Sequence, residues 1–328
     1  MQHESRAAHG RRHAMRLGVG AAGAAIAAPA LAQETFPSKP IEVVTHAGVG
    51  GGTDITARMM MVHAPAELKT ELAVVNRTGG SGAAALAYAA GRPRDGYTIL
   101  LITQTHLLTM IRSKTPTQFD DLVPLARATD DPQIIMVGKN SPFRDGKALV
   151  EAARTRALKF GATQLGGVDH IGILGFAKAA GLQAPTVVPF RGGGDIVISL
   201  VGGNLDVGML NYSEAESQIR AGDVRALLVL GDARLSALPE TPTAREAGIN
   251  SVFSTVRGFV TLKGLPPPNA KILEEGLLRA MQGPLYKTYI ANTGQAANSV
   301  VGAAEWGAQL AQFNREGREA LEQLGLLK

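Results

Sequence analysis

The chain of 328 residues has no cysteine, which excludes disulfide bonds, cysteine-bound zinc sites, thiol nucleophiles and lipid attachment at a mature N-terminal cysteine. Aromatic residues make up only 5% of the sequence and charged residues 19%, while 45% are hydrophobic. This balance is typical of a globular protein rather than of a disordered, fibrous or membrane-embedded one. A chain of this length usually divides its hydrophobic core, so we expect two domains.

Residues 1–32 have the pattern of an export signal rather than of a folded segment. Four arginines precede an uncharged apolar run from Leu17 to Ala28, and the small residues around Ala30 and Ala32 follow it. The run is much shorter than the roughly 20 residues that span a bilayer, so it does not predict a membrane anchor. We therefore expect a signal peptide cleaved after Ala32. The Arg11-Arg12 pair leaves the general secretory and twin-arginine routes both open.

Little net charge remains once residues 1–32 are removed. That segment carries four arginines and one glutamate, a net charge of +3, so the formal charge falls from +5 to +2. The remaining basic residues are scattered among acidic ones, and we expect no nucleic-acid binding. The chain has no G-K-S or G-K-T sequence, and its G-x-G-x-x-G match at 18–23 lies in the signal, so no nucleotide cofactor is expected.

Short β-branched runs alternate with helical stretches from Pro40 onward. The order of strand, helix and strand occupies residues 41–103 and begins again over residues 133–231. This alternation predicts an α/β fold with a mostly parallel sheet covered by helices. Two successive units without a short repeat indicate two similar lobes, and we expect the helical tail from Leu265 onward to pack against one of them.

Two strand-to-helix junctions are the strongest candidates for a binding site. Residues 47–54 (AGVGGGTD) and 161–170 (GATQLGGVDH) each join a predicted strand to the start of a helix. A helix N-terminus presents unpaired N–H groups and the positive end of the helix dipole, and glycine lets an anion approach the backbone. Both junctions therefore predict carboxylate cradles, with Asp54 and Asp169 as N-caps. A tight capped turn without a ligand is the alternative.

Other candidate groups follow predicted strands without forming a catalytic pattern. Residues 188–195 (VPFRGGGD) make a third glycine-rich strand end, where Arg191 either forks a carboxylate or lies solvated in a turn. The histidines are isolated and lack metal-ligand spacing, so no metal site is predicted. His106 and His170 each follow a strand, which leaves an α/β hydrolase or isomerase acting on a small acid, with one of them as base, as the alternative function.

Seven sequence blocks stand out in order along the chain, and they are PSKPI (37–41), GGGTDITAR (50–58), VVNRTGGSG (74–82), DGYTILL (95–101), VPFRGGGD (188–195), AGDVRAL (221–227) and PETPTAREAGI (239–249). With these blocks, the sequence from about Pro37 to the end of the chain resembles the Bug family, the solute receptors of the tripartite tricarboxylate transporters. Two positions differ from the family pattern. His46 and AGVGGGTD replace an aromatic residue and P-P-G-G-P-T-D in the first loop, and Val256-Arg257-Gly258 stands where W-R-G is frequent.

The resemblance implies a type II periplasmic-binding-protein fold, in which two α/β lobes joined by two crossover strands hold the ligand in a cleft. Lobe 1 would comprise residues 33–135 and 260–328, and lobe 2 residues 136–259, with crossings near Ile134–Val137 and Val256–Val260. The implied function is that of a periplasmic, non-enzymatic receptor that captures a small organic carboxylate for the membrane permease subunits of its transporter. A monomer without a cofactor is expected.

The resemblance also implies that one loop of each lobe grips the ligand carboxylate, here Gly50–Asp54 and Gly161–His170. Backbone N–H groups of these loops are expected to clamp the carboxylate, helped by side chains at the ends of strands. The ligand-binding residues so predicted are Gly50, Gly51, Thr53, Asp54, Thr103, Gly161, Ala162, Thr163, Gly166, His170, Phe190, Arg191 and Asn211. No residue is predicted to be catalytic.

Overall fold

The computed structural model describes residues 35–295, 297–323 and 325–327. The predicted signal peptide therefore lies outside the described residues. The strands are β1 (Ile41–Thr45), β2 (Leu72–Asn76), β3 (Thr98–Thr103), β4 (Leu122–Gly138), β5 (Lys159–Ala162), β6 (Thr186–Pro189), β7 (Val207–Asn211), β8 (Val224–Val229), β9 (Ser254–Leu262) and β10 (Val301–Gly302). The helices are α1 (Gly52–Met60), α2 (Ala64–Leu68), α3 (Ala83–Ala90), α4 (Gln104–Arg112), α5 (Gly146–Thr155), α6 (Val168–Ala180), α7 (Gly193–Val201), α8 (Tyr212–Arg220), α9 (Pro267–Met281), α10 (Pro284–Asn292) and α11 (Ala303–Gln323). Within these ranges no helix has both the length and the apolar composition needed to cross a membrane.

Local sequence signals account for where several helices begin. Asp145 caps α5, since its carboxylate accepts a hydrogen bond from the N–H of Ala148 at 2.8 Å. The side chain of Thr103 caps α4, and His106 completes a capping box there. Helices α9 and α10 instead begin with proline, whose fixed φ suits the first turn of a helix.

The strands form two parallel groups joined by antiparallel strands. β1 pairs in parallel with β2 and β3, and β5 pairs in parallel with β6 and β7. β9 runs antiparallel to β3 and β4, and β4 runs antiparallel to β7 and β8. The predicted α/β fold is confirmed, but the prediction of a mostly parallel sheet is wrong at the centre, because apolar alternation identifies a strand without fixing its direction.

One strand, β4, connects the two parallel groups. Its residues Leu122–Pro132 pair with β9, and its residues Gln133–Gly138 pair with β7 and β8. The sequence analysis finds only the second part, because prolines and an aspartate pair interrupt the first. The change of partner lies just before the crossing predicted at Ile134–Val137, and β9 begins just before the crossing predicted at Val256–Val260.

Hydrophobic clusters cover both faces of each part of the sheet. On one face of the β1–β3 part, Ile41, Leu101 and Phe259 pack against apolar residues of α1, α2, α9 and α10. On the other face, Leu100 packs with Trp306 of α11, whose indole N–H donates to the carbonyl oxygen of Phe259 at 3.2 Å. The helical tail thus packs against this part of the sheet, as the sequence predicts. Two further clusters cover the faces of the β5–β8 part.

Candidate functional site

A narrow cavity lies at the carboxyl ends of the parallel strands, where helices α1, α4, α6, α7 and α8 begin. Each of these five helices directly follows one strand of a parallel group, namely β1, β3, β5, β6 or β7. The carboxyl ends of parallel strands meet at one edge of a sheet, and each helix start carries the positive end of the helix dipole. The cavity is therefore suited to a small anion.

Six of the predicted ligand-binding residues line this cavity, and they are Gly51, Thr53, Thr103, Thr163, Arg191 and Asn211. Their binding role stays a prediction. The side chain of Arg191 is 84% exposed and pairs with Asp195 at 3.2 Å, so it lies at the solvent side of the cavity. The other seven predicted residues lie off its wall, and they are Gly50, Asp54, Gly161, Ala162, Gly166, His170 and Phe190.

Physical reasons place these seven residues elsewhere. Gly161 and Ala162 are the last two residues of β5, where both are buried. Phe190 packs against the hydrophobic cluster on one face of the β5–β8 part of the sheet. Gly50 has a φ of +81°, which favours glycine, and it shapes the first loop without facing the cavity.

Asp54 orders the first loop, but the prediction that it caps α1 is wrong. The helix begins at Gly52, so Asp54 is its third residue. Its carboxylate accepts hydrogen bonds from the N–H of Gly50 at 3.0 Å, from Arg58 at 2.9 and 3.0 Å, and from Asn76 at 2.8 Å. Burial alone would raise the pKa of Asp54, but these hydrogen bonds outweigh it and lower the pKa below its ordinary value.

Part of the α1 start remains available to a ligand. The N–H of Gly51 donates within the loop to a carbonyl oxygen at 3.0 Å, and that of Gly52 donates to Glu214 at 2.9 Å. Among the described residues, the N–H groups of Thr53 and Asp54 have no acceptor. First-turn groups of a helix stay unpaired unless a side chain, water or ligand accepts from them. These two N–H groups, and not that of Gly51, are the donors that a carboxylate cradle requires.

The second loop is built in the same way. Helix α6 begins one residue before Asp169, so the prediction that Asp169 caps the helix is also wrong. Its carboxylate accepts hydrogen bonds from the N–H of Thr163 at 2.9 Å and from the side chain of Gln133 at 2.6 Å. The imidazole of His170 accepts from the N–H of Gly166 at 2.8 Å. His170 and Gly166 therefore secure the loop instead of facing the cavity.

Among the hydrogen bonds that cross the cavity from one part of the sheet to the other, two involve N–H groups at helix starts. The N–H of Val168, the first residue of α6, donates to the hydroxyl of Thr105 in α4 at 2.9 Å. The carboxylate of Glu214 in α8 accepts from the N–H of Gly52 in α1 at 2.9 Å. Side chains thus accept hydrogen bonds from one first-turn N–H group of α1 and one of α6. Both hydrogen bonds connect the two sides of the cavity.

A buried ion pair at the cavity is not evident from the sequence. Arg257 of β9 is 2% exposed and donates to Asp131 at 2.9 Å and to Asn211 at 2.6 Å. Burial raises the pKa of Asp131 to about 7, although Arg257 opposes this shift. A Cβ atom on Gly52 would collide with the Arg257 guanidinium, which explains the glycine at the start of α1. In the sequence, Arg257 stands out only as part of the V-R-G segment, because its partner lies 126 residues away.

Two histidines that the sequence analysis treats as isolated are in contact. The rings of His46 and His106 lie 4.3 Å apart between centroids, edge to face. His106 accepts a hydrogen bond from the N–H of Thr103 at 3.1 Å, and burial lowers its pKa to about 4. His46 lines the cavity, and burial, with the nearby His106 and Arg257, lowers its pKa well below the ordinary value. Both rings are therefore neutral at pH 7.

Metal ligation has no visible support in the described part of the chain. No group of three or more His, Asp or Glu side chains there is placed to hold a metal ion. The polar side chains around the cavity are instead hydroxyl and amide groups, the His46 imidazole, the two carboxylates of Asp169 and Glu214, and the guanidinium groups of Arg191 and Arg257. The arrangement can hold a small molecule by hydrogen bonds.

Comparison with known proteins identifies the family. The sequence model of the family described as the tripartite tricarboxylate transporter family receptor matches residues 56–324 of this chain. Protein BugT of Bordetella pertussis is 29% identical over 81% of this chain and 83% of its own length. A protein encoded in the tcbD-tcbE intergenic region of Pseudomonas sp. strain P51 is 32% identical over 76% of each chain.

Solved structures share the fold at lower sequence identity. The periplasmic binding protein BugD superposes with a TM-score of 0.83 and 23% identity, covering 89% of this chain and 100% of BugD. MatC from Rhodopseudomonas palustris, solved with bound malate, gives a TM-score of 0.79 and 23% identity over 87% of this chain and 100% of its own. These superpositions confirm the predicted periplasmic-binding-protein fold.

The alternative function, an α/β hydrolase or isomerase with His106 or His170 as base, is wrong, because the family consists of transport receptors rather than enzymes. His106 completes the cap of α4 and His170 accepts a hydrogen bond within the second loop. Histidines follow these strands because they hold loops. The chain belongs to the tripartite tricarboxylate transporter receptor family and is a solute-binding receptor.

Proposed function

We propose that this receptor binds a small organic carboxylate in the cavity at the five helix starts and delivers it to the membrane permease subunits of a tripartite transporter. The observation that carries the proposal is the convergence of these helix starts, with first-turn N–H groups unpaired at Thr53 and Asp54. Such groups are well suited to anions. MatC holds malate, and a further R. palustris protein, with a TM-score of 0.81 and 21% identity, holds adipate. Both ligands are small dicarboxylic acids, which supports this ligand class.

The ligand carboxylate would lie between the starts of α1 and α6. The N–H groups of Thr53 and Asp54 would donate from α1, and those of Asp169 and His170, which also lack an acceptor among the described residues, from α6. The hydroxyl of Thr103 would add a further donor at the end of β3. Hydrogen bonds to a charged acceptor are shorter and stronger than neutral ones, so a few of them hold a small anion without a cationic side chain.

We propose that the two parts of the sheet are the two lobes, close to the expected division into residues 33–135 with 260–328 and residues 136–259, except that β9 belongs with lobe 1 because it pairs with β3. Closure of such lobes needs only a few residues to rotate where β4 and the segment before β9 pass between them. The hydrogen bonds from Val168 to Thr105 and from Gly52 to Glu214 cross the gap and would break when the lobes separate.

The receptor is further proposed to work as a monomer in the periplasm after cleavage behind Ala32. The arginines and apolar run of residues 1–32 support export, and relatives of known structure are periplasmic. N-terminal sequencing of protein recovered from the periplasmic fraction should begin at Gln33. A soluble cytoplasmic product that retains residues before Ala28 would contradict this.

The binding site is tested by changing Thr53 in two ways. Thr53→Pro removes both its N–H and its hydroxyl, whereas Thr53→Ala removes the hydroxyl and the methyl group but keeps the N–H. Proline in the first turn breaks no intrahelical hydrogen bond. We expect Thr53→Pro to weaken carboxylate binding on the order of 10- to 100-fold and Thr53→Ala to weaken it less.

Native mass spectrometry of freshly purified protein supplies the ligand for this test, and calorimetric titration measures its affinity. Equal melting temperatures of the two ligand-free variants establish that both are folded. If Thr53→Pro binds as tightly as Thr53→Ala, the backbone of α1 is not the donor and the cradle mechanism fails.

A further inference from the structure

The side chain of Glu214 occupies a helix start that would otherwise be open to an anionic ligand. Its Oε1 accepts a hydrogen bond from the N–H of Gly52 at 2.9 Å, and its Oε2 accepts one from the N–H of Asn211 at 3.0 Å. A Cβ atom on Gly193 would collide with the same carboxylate, so Glu214 also lies against the start of α7. One carboxylate of the protein therefore lies at the starts of α1, α7 and α8.

The inner wall beside Glu214 has one buried arginine, Arg257, among the carboxyl groups of Glu214, Asp131 and Asp169. Arg257 is the cation whose charge acts on Glu214, and it already donates to Asp131 at 2.9 Å and to Asn211 at 2.6 Å. Burial raises the pKa of Glu214; Arg257 opposes this shift, and the charge of Asp169 adds to it. Burial raises the pKa of Asp131 to about 7 in the same way. Burial, which removes water from both carboxyl groups, is the main cause of these two shifts, and it makes a nearby cation favourable.

The arginine at the rim does not supply this charge. The side chain of Arg191 is 84% exposed and pairs with Asp195 at 3.2 Å. Solvent screens an exposed charge of this kind, and its pairing with Asp195 reduces its effect further. A positively charged group of a ligand could therefore be accommodated next to Glu214.

His46 provides an independent sign that a polar ligand group belongs at this wall. The residue is 5% exposed and lines the cavity, and its Nδ1 is buried without a hydrogen-bond partner in the described part of the chain. Burial, with the charges of His106 and Arg257, keeps the pKa of His46 low and its ring neutral. A neutral imidazole has one nitrogen that accepts a hydrogen bond. A buried polar atom without a partner is costly unless a ligand or water satisfies it.

Building on the function proposed above, we propose that Glu214 selects ligands that carry an ammonium group together with a carboxylate and disfavours dicarboxylates of the same size. The ligand carboxylate takes the first-turn N–H groups that remain free on α1 and α6. The ammonium group lies beside Glu214, where it supplies the missing positive charge, and it has His46 as a further acceptor. A second carboxylate in that place is repelled by Glu214.

Two pairs of probes test this selection on the mature protein by calorimetric titration. Aspartate is compared with succinate, which lacks the ammonium group, and 4-aminobutanoate with glutarate, in which a carboxylate replaces it. We expect the ammonium-bearing member of each pair to bind at least about 10-fold more tightly. Glu214→Gln keeps an acceptor for the N–H of Gly52 but removes the charge, so the preference should disappear and glutarate should bind more tightly than it does to the wild type.

Glu216→Gln is the matched control, because Glu216 lies on the same helix with its side chain 38% exposed and pairs with Arg220 at 2.7 Å. This variant should keep the wild-type ratio. The inference is overturned if wild-type protein binds glutarate as tightly as 4-aminobutanoate, a result that needs no variant to fold, or if Glu214→Gln leaves the ratio unchanged. In either case the receptor function stands. If no small carboxylate binds the wild type at all, the proposed function fails and the inference fails with it.

Discussion

At the scale of single residues, the charged and ionisable side chains around the cavity mostly serve the loops that form it. Asp54 and Asp169 accept hydrogen bonds from their own loops, and His170 does the same for Gly166. These residue types can be read from the sequence, but their roles cannot. Helices α1 and α6 begin before Asp54 and Asp169, so these two residues lie inside the first turn and do not cap the helices. Side chains that fix the loops leave anion binding to the backbone.

The buried ring of His106 predicts a loss of stability in acid. Its pKa of about 4 is below the ordinary value, so its contribution to the free energy of unfolding is present above the unfolded pKa of about 6.5 and is lost as the pH falls toward 4. Between pH of about 7.5 and about 4.5, we expect the wild type to lose on the order of 2 kcal/mol more than His106→Gln. Glutamine retains an acceptor for the N–H of Thr103.

Urea unfolding of both proteins at the two pH values measures this difference. The linear dependence of the unfolding free energy on denaturant gives each stability. The acidic groups are present in both proteins, so the comparison isolates the loss that depends on the His106 ring, including its effect on the pKa of His46. Equal losses in wild type and variant would mean that His106 does not titrate differently in the folded and unfolded states.

At the scale of elements, the sequence predicts most helices and strands, but it does not predict the first part of β4, the strand that connects the two parallel groups. The α/β alternation, the two glycine-rich loops and the helical tail follow from apolar periodicity. The first part of β4 does not, because Pro124, Asp130, Asp131 and Pro132 read as a loop. Its pairing with β9 compensates for that sequence, and such pairing over more than 100 residues is invisible to local patterns.

The same limit explains the missed site residues. Arg257 and Glu214 reach the cavity from β9 and α8, and their partners Asp131 and Gly52 lie 126 and 162 residues away. Thr53, Thr103 and Asn211 are predictable because each stands at the end of a strand or the start of a helix, where α/β proteins place their sites. Position within an element can be read from a sequence, whereas partners across the fold cannot.

A residue with a side chain should not be tolerated at Gly52, the first residue of α1. A Cβ atom in Gly52→Ala collides with the Arg257 guanidinium, so we expect a loss of about 1–3 kcal/mol in the free energy of unfolding and weaker ligand binding. Gly194→Ala is the matched control, because Gly194 lies in the first turn of α7 with no described atom within 4 Å of its added Cβ. That variant should be neutral or slightly more stable.

Chemical denaturation and calorimetric titration of the two glycine variants give both quantities. Comparable stability of Gly52→Ala and wild type would show that Arg257 moves aside at little cost. In that event the buried pair of Arg257 and Asp131 would not fix the geometry of the α1 start.

At the scale of the whole molecule, hydrogen bonds cross the cavity between the proposed lobes, and we expect them to stabilise the closed form. Thr105→Val removes the acceptor for the N–H of Val168 and keeps the shape of the side chain. Leaving a buried donor unpaired costs about 1–3 kcal/mol, and this cost falls on the closed form alone. We expect ligand-free Thr105→Val to have a larger radius of gyration than the wild type and to contract when a carboxylate ligand is added.

Small-angle scattering with and without ligand measures this change. Thr288→Val is the control, because the Thr288 hydroxyl donates only within its own helix, to the carbonyl oxygen of Pro284 at 2.9 Å. Identical scattering of Thr105→Val and wild type would mean that this hydrogen bond does not hold the lobes together.

The long pairing of β4 with β9 also bears on how the chain folds. The paired segments Leu122–Pro132 and Ser254–Leu262 are far apart in the sequence. Contacts of such sequence separation form slowly, and a cavity assembled from residues 46 to 257 exists only after they have formed. A carboxylate that binds this cavity therefore cannot guide the chain through its transition state. Its addition should slow unfolding and leave the rate of folding unchanged. The ligand would therefore lengthen the lifetime of the folded state through the unfolding rate alone.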